Sequence, residues 1–155
     1  MSAEWREADF PTYGGWDDPG PGLGAVVLAV DEAGRVLMQL RDLREDVPLG
    51  GLFAPFGGGV EAGETLPGAA LREFEEETGV VLPSSALRPL GRVLSSHPGR
   101  TRLYCFAARW PGGTEGLRLG EGAGFAFLTP DQVLGFPVAE SARALALAAP
   151  GALGD

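Results

Sequence analysis

Lysine, asparagine and isoleucine are missing from this 155-residue chain, and cysteine and histidine occur once each, as Cys105 and His97. A lone cysteine excludes an internal disulfide, and its place in the apolar run "LYCFAA" suits a small buried thiol. Positive charge is scarce as well. Lys+Arg number 12 against 21 Asp+Glu, a net charge of -9, so the basic footprint of a duplex nucleic-acid binder is missing. No segment approaches the roughly 20 apolar residues of a membrane helix, and the first residues lack a basic stretch followed by an apolar run. The expectation is a cytoplasmic protein with neither a membrane nor a duplex partner. Without lysine, a phosphate clamp has to come from arginine or from backbone N–H groups.

The composition that remains, 45% hydrophobic and 21% charged, is ordinary for one globular domain with a real core. Residues 1–22 are rich in Pro, Gly, Asp and aromatics (Trp5, Phe10, Tyr13, Trp16) and show no periodicity, reading as an irregular N-terminal arm. A single domain over residues 23–150 and a tail at residues 151–155 complete the division. "LGAVVLAV" (23–30) suits a buried strand and "RVLMQLR" (35–41) alternates, with Asp31 to Gly34 as the turn of a hairpin. A short extended piece at 52–56 leads into Gly57-Gly58-Gly59. Thr65 as N-cap, Pro67 in the first turn and Gly79 as stop predict a helix over about 66–78. "PLGRVLSS", "RLYCFAARW" and "GFAFLT" read as three further strands. Thr129-Pro130-Asp131 starts a short helix, and "VAESARALALAA" forms another. Strands and helices intermixed in one domain imply an α/β (α+β) sheet covered by helices.

The helix carries the chemistry. Glu73, Glu76 and Glu77 stand at i, i+3 and i+4, which places three carboxylates on one face, while Leu71, Phe74 and Thr78 form a separate stripe for the core. On this reading the acids point away from the core. Arg72 has Glu76 one turn ahead as a partner. Carboxylates clustered without a cation repel and resist ionisation, and a divalent metal reverses that, with hard oxygen donors suiting Mg²⁺. Magnesium usually leans on a few carboxylates together with substrate phosphates, so the implied substrate carries phosphate. Gly57, Gly58 and Gly59 let backbone approach an ion or phosphates without Cβ interference, and a glycine carbonyl offers one more oxygen ligand. The bland reading of the same acids is a solvated face.

Gly58, Glu64, Arg72-Glu73-Phe74, Glu76-Glu77 and Gly79-Val80 fit the pattern G-x5-E-x7-R-E-U-x-E-E-x-G-U, and on these residues the chain resembles the Nudix hydrolase family. The resemblance implies a Nudix-type α/β/α sandwich with a mixed sheet between helices. It implies hydrolysis of a nucleoside diphosphate linked to another moiety, such as a modified nucleoside triphosphate or a nucleotide sugar, with Mg²⁺ or Mn²⁺ as cofactor. Glu73, Glu76 and Glu77 match family metal ligands and Gly58 is a further candidate ligand. Glu76 or Glu77 is the candidate for activating water, so all three glutamates are candidate catalytic residues. Arg72 and Glu64 match positions that brace loop and helix. The pattern's aliphatic position is Phe74 here, and the entrance reads Pro55-Phe56-Gly57-Gly58 rather than Pro-Gly-Gly.

Outside this pattern, Arg41 resembles an arginine that in many members lies near substrate phosphates, and Glu121 resembles an acid that reaches towards metal or water. With Gly57 and Gly59 they complete the candidate substrate-binding set. Surface roles are the ordinary alternative for both side chains. His97, Arg100 and Arg102 are turn residues with substrate contact as the sharper reading, and Glu61 stands between a metal role and plain exposure. Isopentenyl diphosphate isomerase shares the fold but calls for a Cys/His-rich metal site that this composition cannot supply. The alternative function is a Nudix-fold nucleotide-sensing module without turnover. Such proteins are often homodimers, and the aromatic arm is a candidate exchanged segment, with packing against the body as its plainer use.

Overall fold

The computed structural model describes residues 5–43, 50–95, 99–112 and 123–154. Within them, β1 (Leu23–Val30) is buried along all but its first residue. It sends Val26, Leu28 and Val30 to one core cluster and Ala25, Val27 and Ala29 to another. That two-sided demand is what a continuous apolar run signals, and it puts β1 in the middle of a seven-stranded mixed sheet. One edge of β1 runs parallel to β6 (Arg102–Arg109) from Leu23↔Arg102 to Val30↔Arg109. Beyond β6 lies antiparallel β5 (Arg88–Leu94).

The other edge of β1 opens like a Y. β2 (Val36–Leu40) pairs with β1 only at Val30↔Val36, so the expected hairpin closes at its turn and then splays. The gap is filled by the chain leading into the glycines. β3 (Phe53–Ala54) pairs with β2, and β4 (Phe56–Gly59) pairs with β1 from Gly24↔Gly59 to Val27↔Phe56. Pro55 is the corner between them. β7 (Gly124–Leu128) covers the outer edge of β2. The turn itself forms as expected, with Asp31 Oδ1 accepting from the N–H groups of Ala33 and Arg35 at 3.0 and 2.8 Å.

Helix α1 (Leu66–Thr78) lies on one face of the sheet; α2 (Pro130–Gly135) and α3 (Glu140–Ala152) follow in sequence. Thr65 Oγ1 accepts from Gly68 N at 3.1 Å, and Gly79 ends α1 at φ +77° with its N–H on the Glu75 carbonyl at 2.8 Å, the left-handed stop the sequence called for. Phe74, Ala69 and Ala70 of α1 pack with Phe56, Phe106 and Leu87, while Ala142, Leu145, Ala146 and Ala149 of α3 cover the opposite face. Helix, sheet and helix make the expected α/β/α layers. α3 continues through Ala152, past the boundary placed at residue 150.

The arm is built into the core rather than laid along it. Phe10 is 1% exposed and meets Tyr104 and Phe106 edge-on at 5.3 Å each. Thr12 bridges Arg92, with Tyr13 N donating to Arg92 O and Arg92 N to Pro11 O at 2.9 Å, which covers the edge of β5. Glu7 pairs with Arg92 at 2.8 Å and accepts from the Tyr104 hydroxyl at 2.6 Å.

Candidate active site

α1 presents its glutamates beside β4, and the structure divides them. Glu73 and Glu76 stay on the outer side, where Arg72 gathers them: its Nη1 lies 2.9 Å from Glu73 Oε1 and 3.3 Å from both Glu76 oxygens. The same guanidinium donates to Glu64 through Nε and Nη2 at 2.7 and 2.9 Å, and to the Gly59 carbonyl at 3.1 Å. Glu64 also accepts from the Glu61 N–H at 2.8 Å. The Arg72 guanidinium first, and that N–H second, hold the Glu64 carboxyl down at about 2. Arg72 in turn keeps its proton more firmly than usual, chiefly through Glu64 and then Glu73. Glu61 is mostly exposed and touches Arg72 only at 4.0 Å.

Glu77 departs from the sequence reading. It is buried, 5% exposed, and points inward to the Y-shaped gap. Its Oε1 accepts from the Gly57 N–H at 2.8 Å and its Oε2 from Gln39 Nε2 at 3.4 Å. Helical spacing showed that it shares a side with Glu73, but not that β4 and β2 close over that side. Gln39 itself was missed. Its one signal was a polar amide inside the otherwise apolar run "VLMQL", and it is 1% exposed.

The glycines have separate reasons. A Cβ on Gly57 would lie 2.4 Å from the Ala25 carbonyl oxygen and 2.5 Å from Val26 Cα, because β4 lies against β1 there. A Cβ on Gly58 would lie 2.6 Å from Glu73 Cδ, so that glycine forms the cradle for the Glu73 carboxylate. Gly59 has nothing within 4 Å and contributes its carbonyl to Arg72.

Among the described residues, no three acidic, histidine or cysteine side chains already converge as an ion cage. The donor chemistry nevertheless fits a hard divalent cation: carboxylate oxygens from Glu73, Glu76 and Glu77 and backbone carbonyls, with Gly58 keeping space clear beside Glu73. Arg72 is the cation that now offsets the outer charges.

On the other side of β4 lies a cavity of about 200 Å³. Its walls are largely apolar (Val26, Val93, Leu103, Cys105, Ala142, Leu145), with Gln39, Arg41, Ser95, Ser141 and the backbone of Gly57 and Gly58 as its polar margin. Burial pushes the Cys105 thiol well above its ordinary range, leaving it an inert wall group. Arg41 is thus brought to the cavity beside the glycines. Arg100 and Arg102 are not: Arg100 donates to the carbonyls of Asp17 and Asp18, and Arg102 to those of Pro21 and Gly22, so both hold the arm. His97 and Glu121 lie outside the described residues.

A family profile described as NUDIX domain matches residues 20–148. An uncharacterized Nudix hydrolase of Pseudomonas aeruginosa is 38% identical over 84 residues, which are 54% of this chain and 48% of that protein. The chain therefore spans about half the length of the curated relative it matches. A crystal structure of a MutT NUDIX hydrolase from Burkholderia pseudomallei superimposes with a TM-score of 0.69 at 24% identity, covering 86% of this chain and 98% of that one. A MutT protein structure from Methanosarcina mazei gives 0.64 at 18% identity, covering 83% and 92%. At such identities the structures speak for the fold.

Proposed function

The chain belongs to the Nudix hydrolase family, and from that premise we propose that it hydrolyses a diphosphate bond in a nucleoside diphosphate linked to another moiety, using Mg²⁺ or Mn²⁺. The observation that carries the reading is the meeting of Glu73 and Glu77 with the glycine strand, with Glu76 drawn towards Glu73 by their shared Arg72, and with the other side of that strand at the margin of an apolar cavity. Charged phosphates are suited to the glycine and glutamate side, and an uncharged ring to the cavity.

Glu73, Glu76 and Glu77, with the Gly58 carbonyl, are the residues that would hold the ion. A bound divalent ion supplies charge neutralisation at the diphosphate and a more acidic attacking water. Glu76 or Glu77 accepts the proton of the water that attacks phosphorus, the P–O bond to the leaving phosphate breaks, and the two phosphate products separate. Arg41, Gly57 and Gly59 are assigned to the substrate's phosphates and Glu121 to the side of the metal or the attacking water, while Arg72 and Glu64 brace the loop on the helix. Nucleoside triphosphates, modified or not, and nucleotide sugars are examples of that substrate class.

The test is a broad diphosphate panel with Mg²⁺ or Mn²⁺ read by product mass spectrometry, which reports substrate and bond together. Glu76→Gln and Glu77→Gln are expected to lower kcat/KM, one of them by about 10²-fold or more. Metal at about a hundred times its Kd is expected to raise Tm by roughly 5–11 °C, from about 2.7 kcal/mol of linkage. A panel without turnover, and variants that change nothing, would overturn the hydrolase reading. Tight nucleotide binding without turnover would put the sensing module in its place.

A further inference from the structure

The geometry points to Gln39 as the specificity residue of the cavity, its Oε1 accepting a hydrogen bond from an N–H donor on a nucleobase bound there. This deepens the hydrolase reading and rests on it for the identity of the substrate as a nucleotide. Gln39 Nε2 donates to two oxygens, the Pro55 carbonyl at 3.2 Å and Glu77 Oε2 at 3.4 Å. Turning the amide over would set its oxygen against both, so the orientation is fixed by its neighbours. The carbonyl arm then stands away from Glu77. Oε1 is fully buried and has no hydrogen-bond partner among the described residues, although Gln39 belongs to the cavity wall. Buried acceptors are nearly always satisfied, so an orphan beside a cavity marks where a partner belongs.

The cavity decides what that partner is. Its apolar walls do not suit a phosphate, since nothing in Val26, Leu103 or Leu145 can solvate charge, so a phosphate is left to the polar margin at Arg41 and the glycines. At about 200 Å³ it is smaller than the roughly 300–1,000 Å³ pockets that enclose whole ligands, so it takes one end of the substrate. A flat, mostly apolar ring with N–H groups on its edge meets all three conditions. Because the same amide also holds Glu77, the residue that reads the ring touches the residue placed beside the phosphates.

The test uses the full chain and calorimetry with nucleoside monophosphates in pairs that differ by one donor. These are AMP against purine riboside monophosphate, CMP against its 4-deamino analogue, GMP against IMP and against 1-deaza-GMP, and UMP against 3-deaza-UMP. Wild type is expected to bind the donor-bearing member of at least one pair about tenfold more tightly. Gln39→Met is expected to erase that gap, weakening the donor-bearing member about tenfold and leaving its partner within about twofold. Should that variant not fold, Gln39→Asn, which withdraws the carbonyl by one methylene, carries the same expectation. No gap in any pair, or equal weakening of both members, would overturn the assignment and leave Gln39 a structural support for Glu77. Turnover of the corresponding triphosphates is scored separately: a binding gap without hydrolysis upholds Gln39 and counts against the hydrolase.

Discussion

Alanine placed at each of the three consecutive glycines should give three different results, because each has a different neighbour. At Gly57 the added methyl meets backbone, 2.4 Å from Ala25 O and 2.5 Å from Val26 Cα, at a φ of +156°. Neither strand can yield without loosening the β1–β4 pairing from Gly24↔Gly59 to Val27↔Phe56. Overpacking of that kind costs about 1–3 kcal/mol, which in a chain of this length lowers Tm by roughly 2–12 °C. At Gly58 the obstacle is the far end of a side chain, the Glu73 carboxyl at 2.6–2.8 Å, which can swing aside. The fold should then hold to within about 1 kcal/mol, while the displaced Glu73 loses its place beside the other carboxylates and the metal-induced rise in Tm shrinks. At Gly59 nothing lies within 4 Å, so Gly59→Ala should leave both quantities near wild type. Differential scanning calorimetry with and without Mn²⁺ measures both effects on the same samples. Gly59→Ala as damaging as Gly57→Ala, or Gly58→Ala with an undiminished metal response, would refute the reasoning.

Two further outcomes follow from single contacts. Glu64 has its folded-state value depressed to about 2 from 4.5, so its contribution to stability is complete above pH 4.5 and is lost as pH falls towards 2. Wild type should therefore lose more Tm than Glu64→Gln across that window, the two converging at its acid end; parallel Tm curves would show that the Arg72 brace does not act in folding. Phe10→Ala should cost about 3–5 kcal/mol, since the ring is fully buried between Tyr104 and Phe106. Urea unfolding measures it, and a loss below about 1 kcal/mol would mean that the arm folds apart from the body.

Local chemistry made the helix readable. Thr65, Pro67 and Gly79 act within one turn of themselves, and α1 begins and ends where they place it. The strands were legible for the same reason, as runs of residues whose faces alternate or are both apolar. What sequence periodicity could not supply was contact across distance. The run 23–41 reads as a hairpin because its turn is local, yet β2 leaves β1 after one residue pair, since the segment 53–59 competes for both strands. Helical spacing alone turns Glu77 outward for a related cause. Its partners, Gly57 and Gln39, stand 20 and 38 residues upstream, and nothing in α1 announces them. Phe10 likewise looked like part of an irregular lead-in, because a single aromatic without periodicity does not say which sheet it enters.

The repulsion among the glutamates of residues 64–77 has an answer inside the protein. Arg72 offsets Glu64, Glu73 and Glu76, and Glu77 is held by an N–H and an amide, so charge crowding alone does not require a metal. The contacts differ in firmness. Glu64 sits at 2.7 Å with its side chain 20% exposed, whereas Glu76 sits at 3.3 Å with 58% exposed. An exposed pair of that length adds little to stability. Glu76 is accordingly the more loosely held of the two, while Glu64 keeps the brace. A single arginine thus holds one firm ion pair and one loose one, and under the proposed hydrolase reading the loose partner, Glu76, is the one left to turn to a cation.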